Sequence, residues 1–480
     1  MWKRISLFLL FAILLLAGVL VFNTIRFKGP SAANDTQGIS KSPETALEHF
    51  RQALRYQTIS HGDSSRFDTT AFRGFQRFLR SSYPRVHSVM TVDVVREYTL
   101  IYTWRGTQAD LKPVVLMAHQ DVVPIEEATR TMWTVDPFGG VVKDGYIWGR
   151  GTTDDKINLI SIFESAEKLL ESGFVPKRTI YFVFGHDEEI GGRGAQAAAA
   201  WLKAHNVHAD LVLDEGGVIT QDKIPGLTKP VALLGTSEKG YLSVELRVEK
   251  AGGHSSMPDK ETALDILSRA LVHLREHPFE GKFTQPMTDF VNAVGPQMPF
   301  FQRMIFANTW LFESMLIGIY EKSGPGNAMV RTTMVPTIIQ AGMKDNVVPM
   351  VATATVNLRL LPGDASVDVI KRLNEIVNDE RVSITPLPGL VAEASEVTAT
   401  TSTGYQLVAG NVLKALPGVT PSPFLMIGAT DSRFMSEVSD GIVKFSPMVD
   451  PIGFHGIDER VSTESFDTSI WFFSQLIKDL

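Results

Sequence analysis

Thr179-Ile180-Tyr181-Phe182-Val183-Phe184 is an unbroken run of β-branched and aromatic residues, and it ends in Gly185-His186-Asp187-Glu188-Glu189-Ile190-Gly191-Gly192. A run of this kind reads as a strand buried on both faces, as in a parallel sheet covered by helices. Two adjacent carboxylates at the end of such a strand are costly unless a cation meets them. A solvated loop with a charged tip is the competing reading, so the rest of the chain must decide.

Thr99–Trp104, Pro113–Ala118 and Leu211–Leu213 repeat the strand pattern, and stretches with helical spacing lie at Ile157–Ser172 and Gly194–His205. Pro43–Gln57, with Ser42 as its cap, and Thr70–Arg80 read as helices ahead of them. This alternation predicts an α/β fold with a mostly parallel central sheet and helices on both faces. The pattern changes at Tyr241–Lys250, where Leu242, Val244, Leu246 and Val248 alternate with Glu245, Arg247 and Glu249; that is a strand with one wet face. A helix at Glu261–Glu276, strands at Thr333–Gln340 and Val351–Leu360, a helix at Ala365–Asp379 and a strand at Val382–Pro386 follow. The order predicts a ferredoxin-like α+β domain over residues 238–390, inserted into a larger domain of residues 42–237 and 391–480.

Ligands of open α/β sheets bind at the carboxyl ends of strands. His119-Gln120-Asp121 follows one predicted strand, Asp214-Glu215 another, and Glu188-Glu189 a third; Gly149-Arg150-Gly151 leads to Asp154-Asp155-Lys156 before a helix, and His455 stands between glycines. Singly, each reads as a satisfied polar residue or a helix cap. Together they would crowd one crevice with carboxylates that repel one another, and divalent cations remove that cost. The chain has no cysteine, so any metal must be held by His, Asp and Glu, a donor set suited to zinc, cobalt or manganese. Asp121 faces the same way as His119 and can accept its second N–H. The net charge of −7 provides no basic footprint for nucleic acid.

These motifs, His119-x-Asp121-Val122-Val123-Pro124, Gly149-Arg150-Gly151-x-x-Asp154-x-Lys156, Asp187-Glu188-Glu189-x-Gly191-Gly192 and the late His455, resemble the dinuclear-zinc peptidase family of aminoacylase, carboxypeptidase S, carboxypeptidase G and succinyl-diaminopimelate desuccinylase. The resemblance spans roughly Pro43 to Leu480 and is strongest to the carboxypeptidase S and N-fatty-acyl-amino-acid synthase/hydrolase branch. It implies two zinc ions per subunit, with cobalt or manganese as alternatives. His119 and Asp214 would hold one ion, Glu189 and His455 the other, and Asp154 would bridge them. Glu188 would be the general base, Asp121 would orient His119, and the Asp154–Asp155 peptide would be cis. The inserted domain would serve as lid and dimer contact. Its Gly252-Gly253-His254-Ser255-Ser256-Met257-Pro258 segment would carry His254 to the partner subunit's site to stabilise the oxyanion, while Asn346, Arg359 and Arg433 would hold a substrate carboxylate. The implied activity is hydrolysis of the amide bond of N-acyl amino acids or small peptides. A dinuclear aminopeptidase or dipeptidase, and a non-catalytic tethered binding protein, are the alternatives.

Residues 1–28 form a separate unit. Lys3 and Arg4 precede an uncharged apolar run from Ile5 to Phe22, and Arg26 and Lys28 follow it. The run is long enough for a membrane-spanning helix. It reads as an uncleaved anchor, or as a signal segment cleaved near Ser31-Ala32-Ala33, with residues 29–41 as a tether. The anchor would leave the large domain outside the cytoplasm; cleavage would make the protein secreted. Between Phe283 and Leu316, the density of Phe, Met, Trp and Leu fits an acyl-chain pocket, lid core or a dimer contact.

Overall fold

The computed structural model describes residues 2–29, 38–416 and 418–480, so most of the tether expected over 29–41, with Ser31-Ala32-Ala33, lies outside the described residues. Eight strands form the large sheet, in the spatial order Thr91–Val95, Thr99–Trp104, Ile180–Gly185, Val114–His119, Leu211–Thr220, Ile442–Val449, Val231–Glu238 and Thr420–Met426. The central strands, from Ile180–Gly185 to Ile442–Val449, run parallel to one another. Their outer neighbours Thr99–Trp104 and Val231–Glu238 run antiparallel to them.

Both faces of this sheet are covered, which explains the unbroken apolar run at its centre. Phe182 and Phe184 pack with the helices Lys156–Glu171, Thr403–Ala415 and Thr463–Asp479 on one face. Val183, between them, joins Ala195, Ala198 and Leu202 of the helix Arg193–Ala204 on the other. Alternate residues of a strand point to opposite faces, so a doubly covered strand needs apolar residues at every position.

Three local expectations change. The Leu211 strand continues through Asp214 and Glu215 to Thr220, because the neighbouring strands pair with it beyond Leu213. Val231–Glu238 is a strand that its Gly235-Thr236 interruption concealed. Ser42 does not cap the first helix of the folded domain: its N–H donates to Asp467 at 2.8 Å, and Pro43 occupies the cap position. The helix Thr69–Ser82 has a true cap in Asp68, whose carboxylate accepts the N–H groups of Thr70 and Ala71.

After Glu238 the chain enters a second, wholly antiparallel sheet with the order Thr333–Ala341, Val351–Leu360, Gly240–Glu249, Val382–Ala392. Leu242, Val244, Leu246 and Val248 face the helices Ala263–Glu276 and Ser366–Val377 and are fully buried. Thr262 and Asp265 close the first of these helices with a reciprocal capping box. The strand and helix order is the split βαββαβ arrangement. One departure is a group of short helices, Gln285–Val294, Phe300–Phe306, Thr309–Tyr320 and Gly324–Val330, inserted before Thr333. Met287, Phe290 and Val291 of this group pack with Val231 and Phe424, on the last two strands of the large sheet. Lys239, buried where the chain crosses between sheets, donates to the carbonyls of Ala328 and Arg331 at 2.8 and 2.7 Å, so the crossing is tied to the same group.

Leu246→Ala removes a fully buried side chain from the second sheet and is expected to lower stability by about 2–5 kcal/mol. Urea unfolding measures the loss, and hydrogen exchange should place the faster-opening amides within residues 240–392.

Candidate metal centre and active site

The parallel register sets His119 opposite Gly185, at the ends of adjacent strands. The segment after Gly185 therefore leaves the sheet beside the imidazole. Asp121 joins the two. Its carboxylate accepts the N–H groups of Glu188 and Glu189, each at 3.2 Å, and the Ser60 hydroxyl at 2.6 Å. It also lies 3.3 Å from His119 Nδ1, which is 2.9 Å from the Asp121 carbonyl. The ring is thus fixed by its Nδ1 edge, leaving Nε2 to face the cluster.

Nε2 of His119 lies 2.8 Å from Asp154 Oδ1 and 3.3 Å from Glu215 Oε1. The other Asp154 oxygen lies 2.8 Å from His455 Nε2, which is also 3.2 Å from Glu189 Oε2. Asp154 therefore sits between two imidazoles, one from each half of the chain. The Asp154–Asp155 peptide is cis.

The structure brings together His119, Asp154, Glu189 and His455, and it does not bring Asp214 into these contacts. Asp214 points away from His119, and its Oδ2 accepts the Ser432 N–H at 2.8 Å. Glu215 reaches the cluster instead. Both residues lie within a continuous strand, so successive side chains take opposite faces; ending the strand at Leu213 hid that distinction. His254 and Asn346 are exposed on the lid, where the Ser255 N–H donates to the Asn346 carbonyl and Ser256 Oγ lies 2.8 Å from His254 Nδ1. Neither touches the cluster among the described residues. Arg433 donates to the carbonyl of Gly191 at 3.0 Å, just past Glu189. Arg359 stacks over Tyr241, and Arg433 is near enough to add repulsion to the burial that opposes its charge.

Buried negative charge is in surplus here. Burial pushes the carboxyls of Glu188, Glu189, Glu215 and Asp155 up; Asp431 adds to the effect on Glu188, and Asp154 adds to it on Glu189 and Glu215. Asp154 is the exception: burial opposes its charge, but hydrogen bonds from His119 and His455 hold its carboxyl well below the usual range. Hydrogen bonds to Asp154 and Glu189 push His455 up to about 10, and the surrounding carboxylates raise His119 against the effect of its burial. Imidazolium protons thus supply part of the missing positive charge. Two sets of donors, His119 with Asp155 and Glu215, and His119 with Asp154 and Glu189, each converge within 4.8 Å. Buried Glu189 Oε1 and Asp155 Oδ2 have no hydrogen-bond partner among the described residues. Displaceable protons, unpartnered carboxylate oxygens and converging imidazoles fit a pair of divalent cations.

Four further residues support the site; Arg150 belongs to a motif read from the sequence, while Glu459, Asp431 and Ser60 carried little sequence signal. Glu459 is fully buried; it accepts the N–H groups of Thr153 and Gly151 at 2.8 and 3.1 Å and pairs with Arg150. Arg150 in turn donates to the carbonyls of His455 and Gly456 at 3.2 and 3.0 Å. One ion pair thereby holds both the Asp154 loop and the His455 loop. In sequence, Asp458-Glu459-Arg460 looks like a solvated charge run. Asp431 is buried against Gly185 and Gly192, where a side chain on either glycine would collide with its carboxylate. Burial and the Asp214 charge push its carboxyl well up. Ser60 had no distinguishing context at all.

Residues 115–479 match the model of peptidase family M20/M25/M40. The chain belongs to this family. It is an enzyme of the peptidase and amidohydrolase type. A probable carboxypeptidase S-like protein of Dictyostelium discoideum is 38% identical over 98% of this chain and 92% of its own length. The N-fatty-acyl-amino acid synthase/hydrolase of Homo sapiens is 35% identical over 96% of this chain and 94% of its own. Among solved structures, an M20 family metallo-carboxypeptidase from Sulfolobus solfataricus shares the fold at a TM-score of 0.64, with 15% identity over 90% of this chain and 98% of that one.

Arg150→Met removes the clamp without placing a charge among the ligands, and metal affinity should fall by about 10–100-fold, as read by competition with a chromophoric chelator. A cation requires neutral imidazoles, whereas His455 in the metal-free protein stays protonated up to about 10. Metal uptake near neutral pH should therefore release protons, and apparent affinity should climb as pH rises toward that value. Calorimetry in buffers of different ionisation enthalpy measures the proton release.

Proposed function

We propose that this enzyme hydrolyses the amide bond of N-acyl amino acids, including long-chain ones, or of small peptides with a free C-terminal carboxylate, using two zinc ions. One observation carries the reading: Asp154 is shared by His119 and His455, while adjacent Glu188 stays outside those contacts. His119, Asp154, Glu189, Glu215 and His455 would hold the ions, with Glu215 taking the place first expected of Asp214. A bound pair of cations supplies Lewis acidity toward the amide carbonyl and makes a coordinated water acidic near neutral pH.

The remaining chemistry falls to the chain's own groups. Glu188 is held by its backbone N–H on Asp121, and no hydrogen bond engages its carboxyl among the described residues. Burial raises its proton affinity, which suits a base that takes a proton from the attacking water and delivers it to the leaving nitrogen. Arg433, beside Gly191 at the cluster's rim, and Arg359, on the lid side of Arg433, offer cationic partners for a substrate carboxylate. His254 is exposed on the lid, in keeping with a dimer in which each lid serves the partner's site and the imidazole stabilises the oxyanion. The helix Trp2–Arg26 would be the uncleaved anchor that keeps the catalytic domain outside the cytoplasm.

Glu188→Gln is expected to retain metal and lose about 10²–10⁴-fold in turnover; near-normal rates would remove Glu188 from its assigned role. Glu215→Gln should lose metal that Asp214→Asn retains, as measured by elemental analysis. A panel of N-acylated and free-amine substrates tests the substrate class, and a strict need for a free amine would replace it with an aminopeptidase.

A further inference from the structure

The helix Trp2–Arg26 does not stand free of the folded domain. It is exposed from Trp2 to Val19, but Thr24 is buried and Leu20, Asn23 and Phe27 are partly covered. These four positions form one helical stripe, and the stripe rests on the short helices inserted in the lid. Asn23 Nδ2 donates to Asn308 Oδ1 at 2.8 Å, and Asn308 Nδ2 donates to the Leu20 carbonyl at 3.2 Å. The Phe27 ring fills the space over Gly295. Asn308 is itself fully buried, at the junction of the helices Phe300–Phe306 and Thr309–Tyr320.

Around that junction the surface is apolar. Phe300, Phe301, Trp310, Leu311, Met315 and Ile319 are all exposed, Phe301 by 76% and Trp310 by 61%. Glu313 is the one charged residue of the helix Thr309–Tyr320. A contiguous apolar surface of this kind marks a contact site. The contact with the N-terminal helix identifies the occupant. Asn308 is level with Leu20 and Asn23, where the uncharged run ends at Phe22 and gives way to Arg26 and Lys28. In a spanning helix that level is the boundary between hydrocarbon and headgroups. Trp and other amphipathic rings favour this zone, and basic residues there attract anionic lipids. The amide pair of Asn23 and Asn308 satisfies polar groups that would otherwise be costly at this depth.

We propose that the helices Phe300–Phe306 and Thr309–Tyr320 form a second membrane contact, embedded in the bilayer interface beside the anchor. The domain would then rest on the lipid surface instead of swinging on a tether. The inserted helices that the sequence left open as pocket, lid core or dimer contact divide into two faces. Met287, Phe290 and Val291 bind the large sheet, and the outer face binds lipid. An amphiphilic acyl substrate partitions into the same interface. The inference rests on the reading of residues 1–28 as an uncleaved anchor.

The chain has no cysteine, so a single introduced one is a unique labelling site. Full-length Phe301→Cys, Ile319→Cys, Leu9→Cys and Val175→Cys, each carrying an environment-sensitive fluorophore, are reconstituted in nanodiscs of phosphatidylcholine and phosphatidylglycerol. Some of the lipid carries a spin label near the headgroup or deep in the chain. Quenching at positions 301 and 319 by the shallow label, severalfold above that at Val175, is the expected result, with Leu9 quenched by the deep label. Quenching at Leu9 while 301 and 319 match Val175 overturns the lipid contact and leaves the anchor standing. A concentration-dependent blue shift at 301 without quenching also overturns it, in favour of a second copy as occupant. Leu9 unquenched removes the anchor reading and the proposal together.

Discussion

Arg150 and Glu459 form a fully buried ion pair beneath the carboxylate cluster, and the geometry of the centre depends on what they hold. Glu459 binds the backbone of the loop that carries Asp154. Arg150 binds the carbonyls of the loop that carries His455. A buried ion pair adds little to stability unless its remaining donors and acceptors are satisfied, and here backbone groups of both loops satisfy them. Asp121 plays the same part on the other side, holding the Glu188–Glu189 turn against His119. Each reactive side chain is thus placed by a buried charge whose partners are mostly backbone. That leaves the side chains themselves free for cations and substrate.

Much of this was legible in the sequence, for a simple reason. Strands buried on both faces must be apolar at every position, so Thr179–Phe184 and Val114–Ala118 stood out, and the residues after them marked the crevice. The alternation of Tyr241–Lys250 likewise announced a sheet with one dry face. What stayed hidden depended on register and on long-range contact. Asp214 and Glu215 are neighbours in sequence, and only the continued pairing of their strand shows that Glu215 faces His119. Arg150 stood in a motif, but its partner Glu459 is far away in the chain and looks like an ordinary surface charge until the loops meet. Asp431, in Thr430-Asp431-Ser432-Arg433, resembles any polar loop residue; its burial against Gly185 and Gly192 follows from how two segments cross.

The two sheets divide the work. The large one fixes the charges, while the inserted domain carries Arg359 on its own sheet and His254 and Asn346 at a separate two-stranded ribbon, joined through the buried crossing at Lys239. Arg359 lies on a strand of the second sheet and Arg433 in the short helix Asp431–Val438 that precedes a strand of the large one, so movement of one sheet relative to the other would change the spacing of the two guanidinium groups. A carboxylate bound to both cations would favour the arrangement that brings them together.

Asp154 accepts from an imidazole on each side of the lid insertion, and Glu459 arrives with the second of them. The whole of the second sheet is synthesised between those two contributions. A chain cut short before His455 lacks that imidazole, the clamp that aligns Asp154 and the helix Thr463–Asp479 that packs on the large sheet. The paired imidazoles therefore meet only after the whole second sheet has been made, and the segment that brings His455 also brings the helix Thr463–Asp479 that covers the sheet beneath the site.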